Sequence, residues 1–535
     1  MAPERSGSDS ATTLADAEQA ARAGDLEMAL RAAQEYLDKN PNNAAVWRFL
    51  GHLNHARQRT EEAIACVKRA TLLAPERADL LLEYGLYLVA DGRRGKALRV
   101  ASRLESMKLG TPGLDAGLGT LLSYCDEPHR ALAWFEAALR QVPHDTGLLF
   151  NRASAQMMTG DVSGAEQSLD RLLAANPTHG RAQLLRSGLR IQTSSHNHVA
   201  ELRQALGSRE GDVDNAIALL FALGKELEDI GDFENAFNVI SAGCHRQRRR
   251  MQYDVSQDIA AIDRIIAVHT RAVVTDAEGF ETEEPIFVLG LPRSGTTLVA
   301  QILASHSSVV SLGETPAFAA EMVAAVRRRL GRTPGKLELV SEVLQLSPRH
   351  LGAVYLEATR PQSGMTTRFV DKTPLNYLYA GLIARSLPAA KMVAVARDPM
   401  DVCFSMFKTL FTGAYPFSYD LGELGLYFVA WHRLMEHWMD VLGERLLIVQ
   451  YEDLVKNQEA VTRRLLTHCG LAWEDSCLRF NDLKNSVTTA SAVQVRRSLY
   501  TSSVGAAASR YGRWLETLKN ELAGHHLVGA RLAVT

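Results

Sequence analysis

The sequence predicts two structural classes in one chain: an all-α array of helical repeats, followed by an α/β domain with a mainly parallel sheet. A 34-residue period of small residues runs through the first half, and short β-branched segments alternate with helical patterns from Glu283 onward. The length of 535 residues also exceeds what one hydrophobic core usually supports. We therefore expect at least two domains, each with its own core.

Composition limits the classes of protein to consider. Apolar residues make up 46% and charged residues 22%, and the formal charge of -2 predicts no overall attraction to nucleic acid or to an anionic membrane. The 6 cysteines form no C-x-x-C pair, which favours reduced thiols over disulfides or a zinc site. No signal-peptide core or 18-residue apolar run is present. We expect a cytoplasmic protein, without a metal, whose residues 1–13 are disordered.

The period in the first half is carried by columns of small residues and prolines. A small residue lets two antiparallel helices approach each other, and a proline ends the second helix of each pair. The columns are Ala29, Ala63, Ala97, Ala131 and Ala165, with Gly51, Gly85, Gly119 and Ala153, and with Pro41, Pro75, Pro143 and Pro177.

Segments such as GDLEMALRAAQEYLDKNP and GDVSGAEQSLDRLLAANP resemble the tetratricopeptide repeat, a 34-residue helix-turn-helix unit. Five units cover Asp16 to Arg181, and GDFENAFNVI indicates an atypical closing unit. We assign residues 14–250 to the solenoid and 251–282 to a connecting helix or linker. Such arrays bind partners on a concave face, a role we favour over a purely structural brace. The basic run CHRQRRRMQYD favours a solvated face over a nucleic-acid site.

Residues 283–535 form the predicted α/β domain. Its strand candidates are PIFVLG, RFVDK, KMVAVAR and RLLIVQ. Strands that alternate with helices imply crossovers onto a parallel sheet, and ligands bind beyond the carboxyl ends of such strands. Functional residues are therefore expected directly after each strand.

The first strand leads into VLGLPRSGTTLVAQIL, which has the spacing of a phosphate loop. A glycine-containing turn that opens a helix forms an anion cradle. A nucleoside-triphosphate loop would place a lysine after the second glycine, where this chain has Thr296. Its cation is Arg293 instead, so a different anion is expected.

The loop resembles the phosphosulfate loop of the sulfotransferase family. That resemblance implies a P-loop-like sulfotransferase domain and 3'-phosphoadenylyl sulfate as co-substrate, used without a metal. The donor-binding residues that it implies here are Arg293, Ser294, Gly295, Thr296 and Thr297.

Three further segments fit the same donor. Arg397 ends the strand KMVAVAR, and Ser405 follows eight residues later; an arginine can fork onto a phosphate and a serine can add a donor. The resemblance implies that Tyr451 in IVQYEDLV lies near the adenine, although a core tyrosine fits nearly as well. It also implies that Ser491–Gly505 closes over the donor, with Arg496 as a phosphate contact and Arg497 as its alternate.

Sulfuryl transfer needs in-line positioning, a base for the acceptor hydroxyl and a cation for the leaving phosphate. By resemblance to tyrosylprotein sulfotransferases, Glu314 in SLGETPAF is the predicted base; a helix-capping role is the other interpretation, and His306 is the rival base. Lys372 is the predicted cation, unless it only pairs with the neighbouring Asp371, and Ser491 assists at the leaving group.

The sequence thus predicts transfer of sulfate from 3'-phosphoadenylyl sulfate to an acceptor hydroxyl. The acceptor is a peptide, protein or small molecule, with protein tyrosine as one candidate, and the repeats recruit the acceptor or a partner. A P-loop nucleotide kinase or NTPase is the first alternative. Against this alternative, the chain lacks the loop lysine, and its strand KMVAVAR ends in Arg397 rather than in a magnesium-binding aspartate. The second alternative is a repeat scaffold with a non-catalytic nucleotide-binding domain.

Overall fold

A computed structural model of the chain describes residues 14–207, 212–275, 278–360, 368–411, 413–482, 495 and 499–532. The predicted disordered start, residues 1–13, lies outside these ranges. The chain divides into two compact units, Met1–Pro143 and His144–Thr535. The boundaries near residues 250 and 283 follow the sequence pattern and stay predictions.

The first unit consists of antiparallel helix pairs in its described part, as the repeat pattern predicts. Ala29, Ala63, Ala97 and Ala131 are fully buried, because they lie where helices pack most closely. The helices are α1 (Leu14–Arg22), α2 (Leu26–Lys39), α3 (Ala44–Ala56), α4 (Thr60–Leu73), α5 (Ala78–Ala90), α6 (Arg94–Glu105), α7 (Pro112–Tyr124) and α8 (Pro128–Gln141).

The glycine column explains how closely the helices of a repeat approach. A Cβ atom on Gly51 would lie 2.5 Å from Val67 Cγ2, and one on Gly119 would lie 2.7 Å from Phe135 Cε1. Larger residues at these positions would force the helix pairs apart. The small-residue period is therefore a packing requirement.

The second unit begins with further helices of the repeat region and its C-terminal extension. They are α9 (Thr146–Thr159), α10 (Val162–Ala175), α11 (Gly180–Leu189), α12 (Val199–Gly207), α13 (Val213–Asp229), α14 (Phe233–Arg248), α15 (Val255–Val268) and α16 (Arg271–Thr275).

A parallel sheet follows, in the strand order β2-β3-β1-β4-β5. All the observed pairings are parallel, and β1 and β5 are buried along their whole length. The strands are β1 (Pro285–Leu289), β2 (Val309–Ser311), β3 (Arg368–Asp371), β4 (Lys391–Ala396) and β5 (Leu446–Gln450).

Helices connect the strands and cover the sheet. They are α17 (Thr296–Ala304), α18 (Ala317–Leu330), α19 (Lys336–Glu342), α20 (Pro348–Thr359), α21 (Ala380–Ser386), α22 (Pro399–Phe407), α23 (Leu421–Leu442), α24 (Tyr451–Lys456), α25 (Gln458–His468), α26 (Ala506–Tyr511) and α27 (Glu516–Gly524), with short 3-10 turns at Val343–Gln345, Pro374–Leu378, Pro416–Tyr419, Gly443–Arg445, Asp475–Asp482 and Gly512–Trp514.

The hydrophobic core of the sheet region also includes α13 and α14. Phe221 and Ile240 are nearly fully buried in the same cluster as residues of β1, α22 and α23. The thiol of Cys244 donates to the Phe407 carbonyl at 3.1 Å, and Lys408 Nζ lies 2.6 Å from Glu228 Oε1. The last helix pair of the repeat region is thus built into the core that supports the sheet.

The parallel sheet determines where functional side chains can meet. Since all strands point the same way, their carboxyl ends lie at one edge. Gly290, Lys372, Arg397 and Tyr451 follow directly after β1, β3, β4 and β5, and Glu314 comes three residues after β2. We therefore expect a functional site at this edge.

Candidate functional site

The loop between β1 and α17 can be built only with glycine at its two ends. Gly290 has φ +146°, and a Cβ atom on it would lie 2.6 Å from the Val395 carbonyl oxygen. Gly295 has φ +109°, and a Cβ atom on it would lie 2.7 Å from Cδ2 of the Tyr451 ring. The loop therefore lies tightly against β4 and against Tyr451. It leads into α17, whose first amides have no acceptor within the helix.

Ser294 is the clearest sign of a ligand in this loop. The residue is 1% exposed, and its hydroxyl has no hydrogen-bond partner within the described part of the chain. A buried hydroxyl without a partner costs free energy, so such groups usually serve a ligand or water. The hydroxyl and the helix start together fit an anion.

Two arginines converge beside the loop. Arg293, at φ +67°, donates from Nε to Ser405 Oγ at 3.3 Å, which links the loop to α22. Arg397 Nη1 donates to the Arg293 carbonyl oxygen at 3.2 Å, while Arg397 Nε is buried and has no partner among the described residues. Burial and the neighbouring Arg397 lower the pKa of Arg293. An anion between these guanidinium groups would relieve that repulsion.

Tyr451 packs against the same arginine. The Arg397 guanidinium carbon lies 4.6 Å from the centre of the Tyr451 ring, within the range of a cation–π contact. The Tyr451 hydroxyl lies 3.2 Å from Ser503 Oγ. The structure thus brings Arg293, Ser405, Arg397 and Tyr451 together around one loop.

Glu314 and Lys372 form an ion pair at the same carboxyl edge of the sheet, after β2 and β3. Lys372 Nζ donates to Glu314 Oε1, and the lysine side chain is 3% exposed whereas the glutamate side chain is 48% exposed. The segments that carry them are joined, since Thr373 Oγ1 accepts from the Thr315 amide at 3.1 Å and lies 2.9 Å from the Thr315 carbonyl oxygen. A carboxylate and an ammonium are therefore held in fixed positions, and the carboxylate remains accessible.

The alternative interpretations of these two residues are a helix cap by Glu314 and a pairing of Lys372 with Asp371; the second stays open, since the Lys372 ammonium acts against the burial that raises the pKa of Asp371. The first amide of α18, that of Ala317, donates to Thr315 Oγ1 at 3.2 Å, so the side chain of Thr315 rather than that of Glu314 caps this helix start. Asp371 is fully buried, where its carboxylate accepts from Tyr355 Oη at 2.9 Å, Thr373 Oγ1 at 2.7 Å and Asn376 Nδ2 at 3.2 Å. Burial raises the pKa of Asp371 to about 6.

His306, the rival base, lies in a different setting. It is 5% exposed; Nε2 lies 3.1 Å from the Ala472 carbonyl oxygen, and Nδ1 accepts from the Ser308 amide at 3.1 Å. Nε2 thus contacts the segment after α25, where it also lies 3.4 Å from Glu474 Oε1, and Nδ1 contacts the backbone just before β2; a buried histidine that joins two segments in this way is typical of a structural role.

Ser491, Arg496 and its alternate Arg497 lie outside the described residues. Asp401, beside the site, was not predicted, whereas Ser503 lies within the segment Ser491–Gly505 that was expected to close over the donor. Asp401 accepts hydrogen bonds from the backbone amides of Gly505 and Ala507, and the Ser503 carbonyl accepts from Arg397. Only the position of Asp401, one helical turn after Arg397, could have indicated it from the sequence.

Further features of the described residues concern metal clusters, membrane-spanning helices and disulfides. Within the described ranges, no group of histidine, cysteine and acidic side chains could hold a metal ion. In the same ranges no helix has the length and apolar character that a bilayer crossing requires. None of the six cysteines is in a disulfide. The cytoplasmic location stays a prediction.

Comparisons with known proteins agree with this arrangement. Residues 285–475 match the Sulfotransferase family, and residues 14–71 and 126–189 match Tetratricopeptide repeat families. A protein of Aquifex aeolicus described only as uncharacterized is 31% identical over 69% of this chain and 49% of its own length. Protein-tyrosine sulfotransferase 1 of Danio rerio is 27% identical over 40% of this chain and 60% of its own length.

The chain thus spans about half to three fifths of these two curated relatives. Among solved structures, the sulfotransferase domain of the Synechococcus PCC 7002 olefin synthase is 19% identical, with a TM-score of 0.33, over 48% of this chain and 98% of that one. The chain carries tetratricopeptide repeats in its N-terminal half and, in its C-terminal half, a sulfotransferase domain homologous to protein-tyrosine sulfotransferases.

Proposed function

We propose that the protein transfers the sulfuryl group of 3'-phosphoadenylyl sulfate to an acceptor hydroxyl. The observation that carries the proposal is the convergence of Arg293, Arg397 and Ser405 around a loop whose buried Ser294 hydroxyl has no partner among the described residues. Two guanidinium groups and a helix start fit a ligand with more than one phosphate-like group. The Tyr451 ring, next to Arg397, fits an adenine beside them.

Glu314 and Lys372 are proposed to serve the transfer step. A bond forms between the acceptor oxygen and sulfur, the bond from sulfur to the bridging phosphate oxygen breaks, and the acceptor proton moves to the Glu314 carboxylate. The Lys372 ammonium stabilises the charge that develops on the leaving phosphate. The half-exposed Glu314 and the buried Lys372 suit a base that meets an incoming substrate and a cation that stays with the donor.

Protein tyrosine is the proposed acceptor, because the homologous curated proteins are described as protein-tyrosine sulfotransferases. The repeats are proposed to recruit this acceptor or a partner. Tetratricopeptide arrays present extended surfaces for such contacts.

A kinase or NTPase fits the site less well. Strand β3 does end in an aspartate, Asp371. Its carboxylate is fully buried and accepts from three side chains, whereas a magnesium ligand needs an oxygen that is open to the ion. The loop also has Thr296 in place of the lysine.

Calorimetry tests the donor. Adenosine 3',5'-bisphosphate should bind more tightly than 5'-AMP or ATP with magnesium, and Arg397→Ala should weaken that binding at least roughly tenfold. Arg445→Ala is a matched control, since Arg445 Nη2 also donates to a backbone carbonyl, that of Ala384 at 2.6 Å, but just before β5, at the opposite edge of the sheet. Tight binding of ATP with magnesium alone would overturn the proposal.

Transfer of labelled sulfate tests the chemistry. Tyrosine peptides, simple phenols and sugars are offered to the wild type, Glu314→Gln and Lys372→Ala. Both variants should lose on the order of 100 to 10,000-fold in kcat. Glu284→Gln, which removes a surface partner of Arg360, should retain activity. Equal background in all proteins would favour a non-catalytic scaffold instead.

A further inference from the structure

Asp401 joins two segments that are far apart in the sequence. It lies in the first turn of α22, and its side chain is 1% exposed. Its Oδ2 accepts from the Gly505 amide at 2.6 Å, and its Oδ1 accepts from the Ala507 amide at 2.9 Å. Both amides lie at the start of α26. One carboxylate therefore ties the helix that follows Arg397 to the C-terminal segment.

That C-terminal segment contacts the donor site just before the point where Asp401 holds it. The Ser503 carbonyl accepts from Arg397 Nη2 at 2.9 Å, and Ser503 Oγ lies 3.2 Å from the Tyr451 hydroxyl. Only one residue, Val504, separates Ser503 from Gly505. Fixing the Gly505 amide consequently fixes the place of Ser503 on Arg397 and Tyr451.

The cap on α26 is unusual because it comes from another element. Most helix caps use the side chain of the residue just before the helix, but here that residue is Gly505, at φ +70° and without a side-chain cap. The carboxylate comes from 104 residues earlier in the chain. A local cap would stabilise α26 alone, whereas this one also fixes α26 to α22. Tyr511 reinforces the contact, with its ring centre 4.3 Å from that of Phe404.

Arg397 is held from both sides as a result. Its guanidinium lies 4.0 Å from Asp401 Oδ2 and over the Tyr451 ring, and it donates to the carbonyls of Arg293 and Ser503. An arginine with its head group fixed in advance loses less entropy when it binds an anion.

We propose that Asp401 is a positioning residue for recognition of the donor's 3'-phosphate, acting by holding residues 499–507 against Arg397. The inference rests on the proposed function, in which Arg397 binds that phosphate. It adds a residue that does not touch the ligand and that sets how well the site distinguishes a 3'-phosphorylated nucleotide from one without that group.

Calorimetry on the full-length protein tests this role. Wild type, Asp401→Asn and Asp401→Glu are titrated with adenosine 3',5'-bisphosphate and with 5'-AMP. Asp401→Asn should weaken binding of the bisphosphate roughly tenfold or more, since it weakens two charge-assisted bonds, and should change binding of 5'-AMP by no more than about twofold. Asp401→Glu, which keeps the carboxylate, should recover part of the loss.

Asp420→Asn is the matched control. Asp420 Oδ1 accepts from two backbone amides at the start of α23, those of Gly422 at 2.9 Å and Glu423 at 3.0 Å, but Asp420 has no contact with Arg397 or with residues 499–507. Its substitution should lower the thermal midpoint slightly and leave the ratio of the two affinities unchanged.

The outcomes separate this inference from the proposed function. If the wild type does not prefer the bisphosphate, the proposed donor fails. If the wild type prefers it and Asp401→Asn keeps the same ratio, or loses affinity for both ligands equally, the positioning role is wrong and the donor assignment stands.

Hydrogen exchange on the wild type provides a test that needs no variant. The Gly505 and Ala507 amides should exchange slowly without ligand, because Asp401 holds them. Exchange as fast as in an open loop would overturn the proposal.

Discussion

Two stretches of the repeat region differ in what covers their apolar faces. In the first unit, α1 to α3 bury Ala29, Val46 and Leu50 in a cluster of their own. In the second unit, α13 and α14 bury Phe221 and Ile240 in the same cluster as the sheet domain. The same kind of helix pair is thus a separate repeat in one place and part of the core of the sheet domain in the other. Sequence periodicity describes the pair but not what it packs against.

The largest expected difference comes from removing one buried ring in each of the two units. Phe221 and Phe135 are 2% and 1% exposed, so Phe221→Ala and Phe135→Ala should each cost about 3–5 kcal/mol locally. Phe221→Ala should raise hydrogen exchange in β1 and β4 and reduce binding of adenosine 3',5'-bisphosphate. Phe135→Ala should raise exchange in α7 and α8 and leave that binding intact. Equal loss of binding in both variants would contradict the comparison.

A pH series should show that the stability of the sheet domain depends on the protonation of Asp371. The pKa of Asp371 is raised to about 6 by burial, so the folded chain binds this proton more tightly than the unfolded chain. The resulting stability is fully present below about pH 4 and is lost as the pH rises through 6, at up to about 3 kcal/mol for two pKa units.

Asp371→Asn removes this titration. Urea unfolding measures the free energy of unfolding of both proteins at pH 4 and at pH 7. The loss of stability in Asp371→Asn relative to the wild type should be larger at pH 4 than at pH 7. A stability difference between the two proteins that stays the same at both pH values would show that the Asp371 carboxyl does not titrate in this window.

The smallest expected difference concerns one ion pair in each of the two units. Lys408 and Glu228, with side chains 29% and 15% exposed, join α13 to the end of α22. Arg48 and Glu83, at 2.7 Å and 36% and 14% exposed, join α3 to α5. Double-mutant cycles with Met and Gln replacements should give coupling of about 0.5–1 kcal/mol in both cases.

The two couplings should appear in different measurements. The Lys408 cycle should change the ligand-dependent thermal midpoint, because α22 carries Ser405. The Arg48 cycle should not change it. A ligand-dependent effect in the Arg48 cycle would contradict the prediction that only the second unit is coupled to ligand binding.

Much of the architecture could be predicted because it depends on local pattern. The repeat columns, the parallel sheet and the loop after β1 all follow from spacing, and the sheet then requires residues such as Lys372 and Arg397 to lie at one edge. The predicted roles of the site residues stay predictions. The pairing of Glu314 with Lys372 joins residues 58 positions apart, and no local spacing indicates it.

The missed features share a physical cause. Asp401 looks like an ordinary first-turn acid in RDPMDV, which suits any helix start. Its importance comes from amides more than a hundred residues later. In the same way, α13 and α14 read as a closing repeat, because their apolar residues have the same period whether they meet a neighbouring repeat or a sheet.

The shared core has a consequence for how the chain is made. Synthesis runs from the N-terminus, so α14 leaves the ribosome long before its covering residues, and Cys244 precedes its partner Phe407 by 163 positions. At about 5–20 residues per second, the apolar face of α14 stays uncovered for roughly 8 to 30 s. During that interval the apolar face of the helix pair is exposed and is open to chaperone binding. A pause in translation of the sheet segment would lengthen this exposure. Cells that make this protein quickly should therefore lose less of it to aggregation.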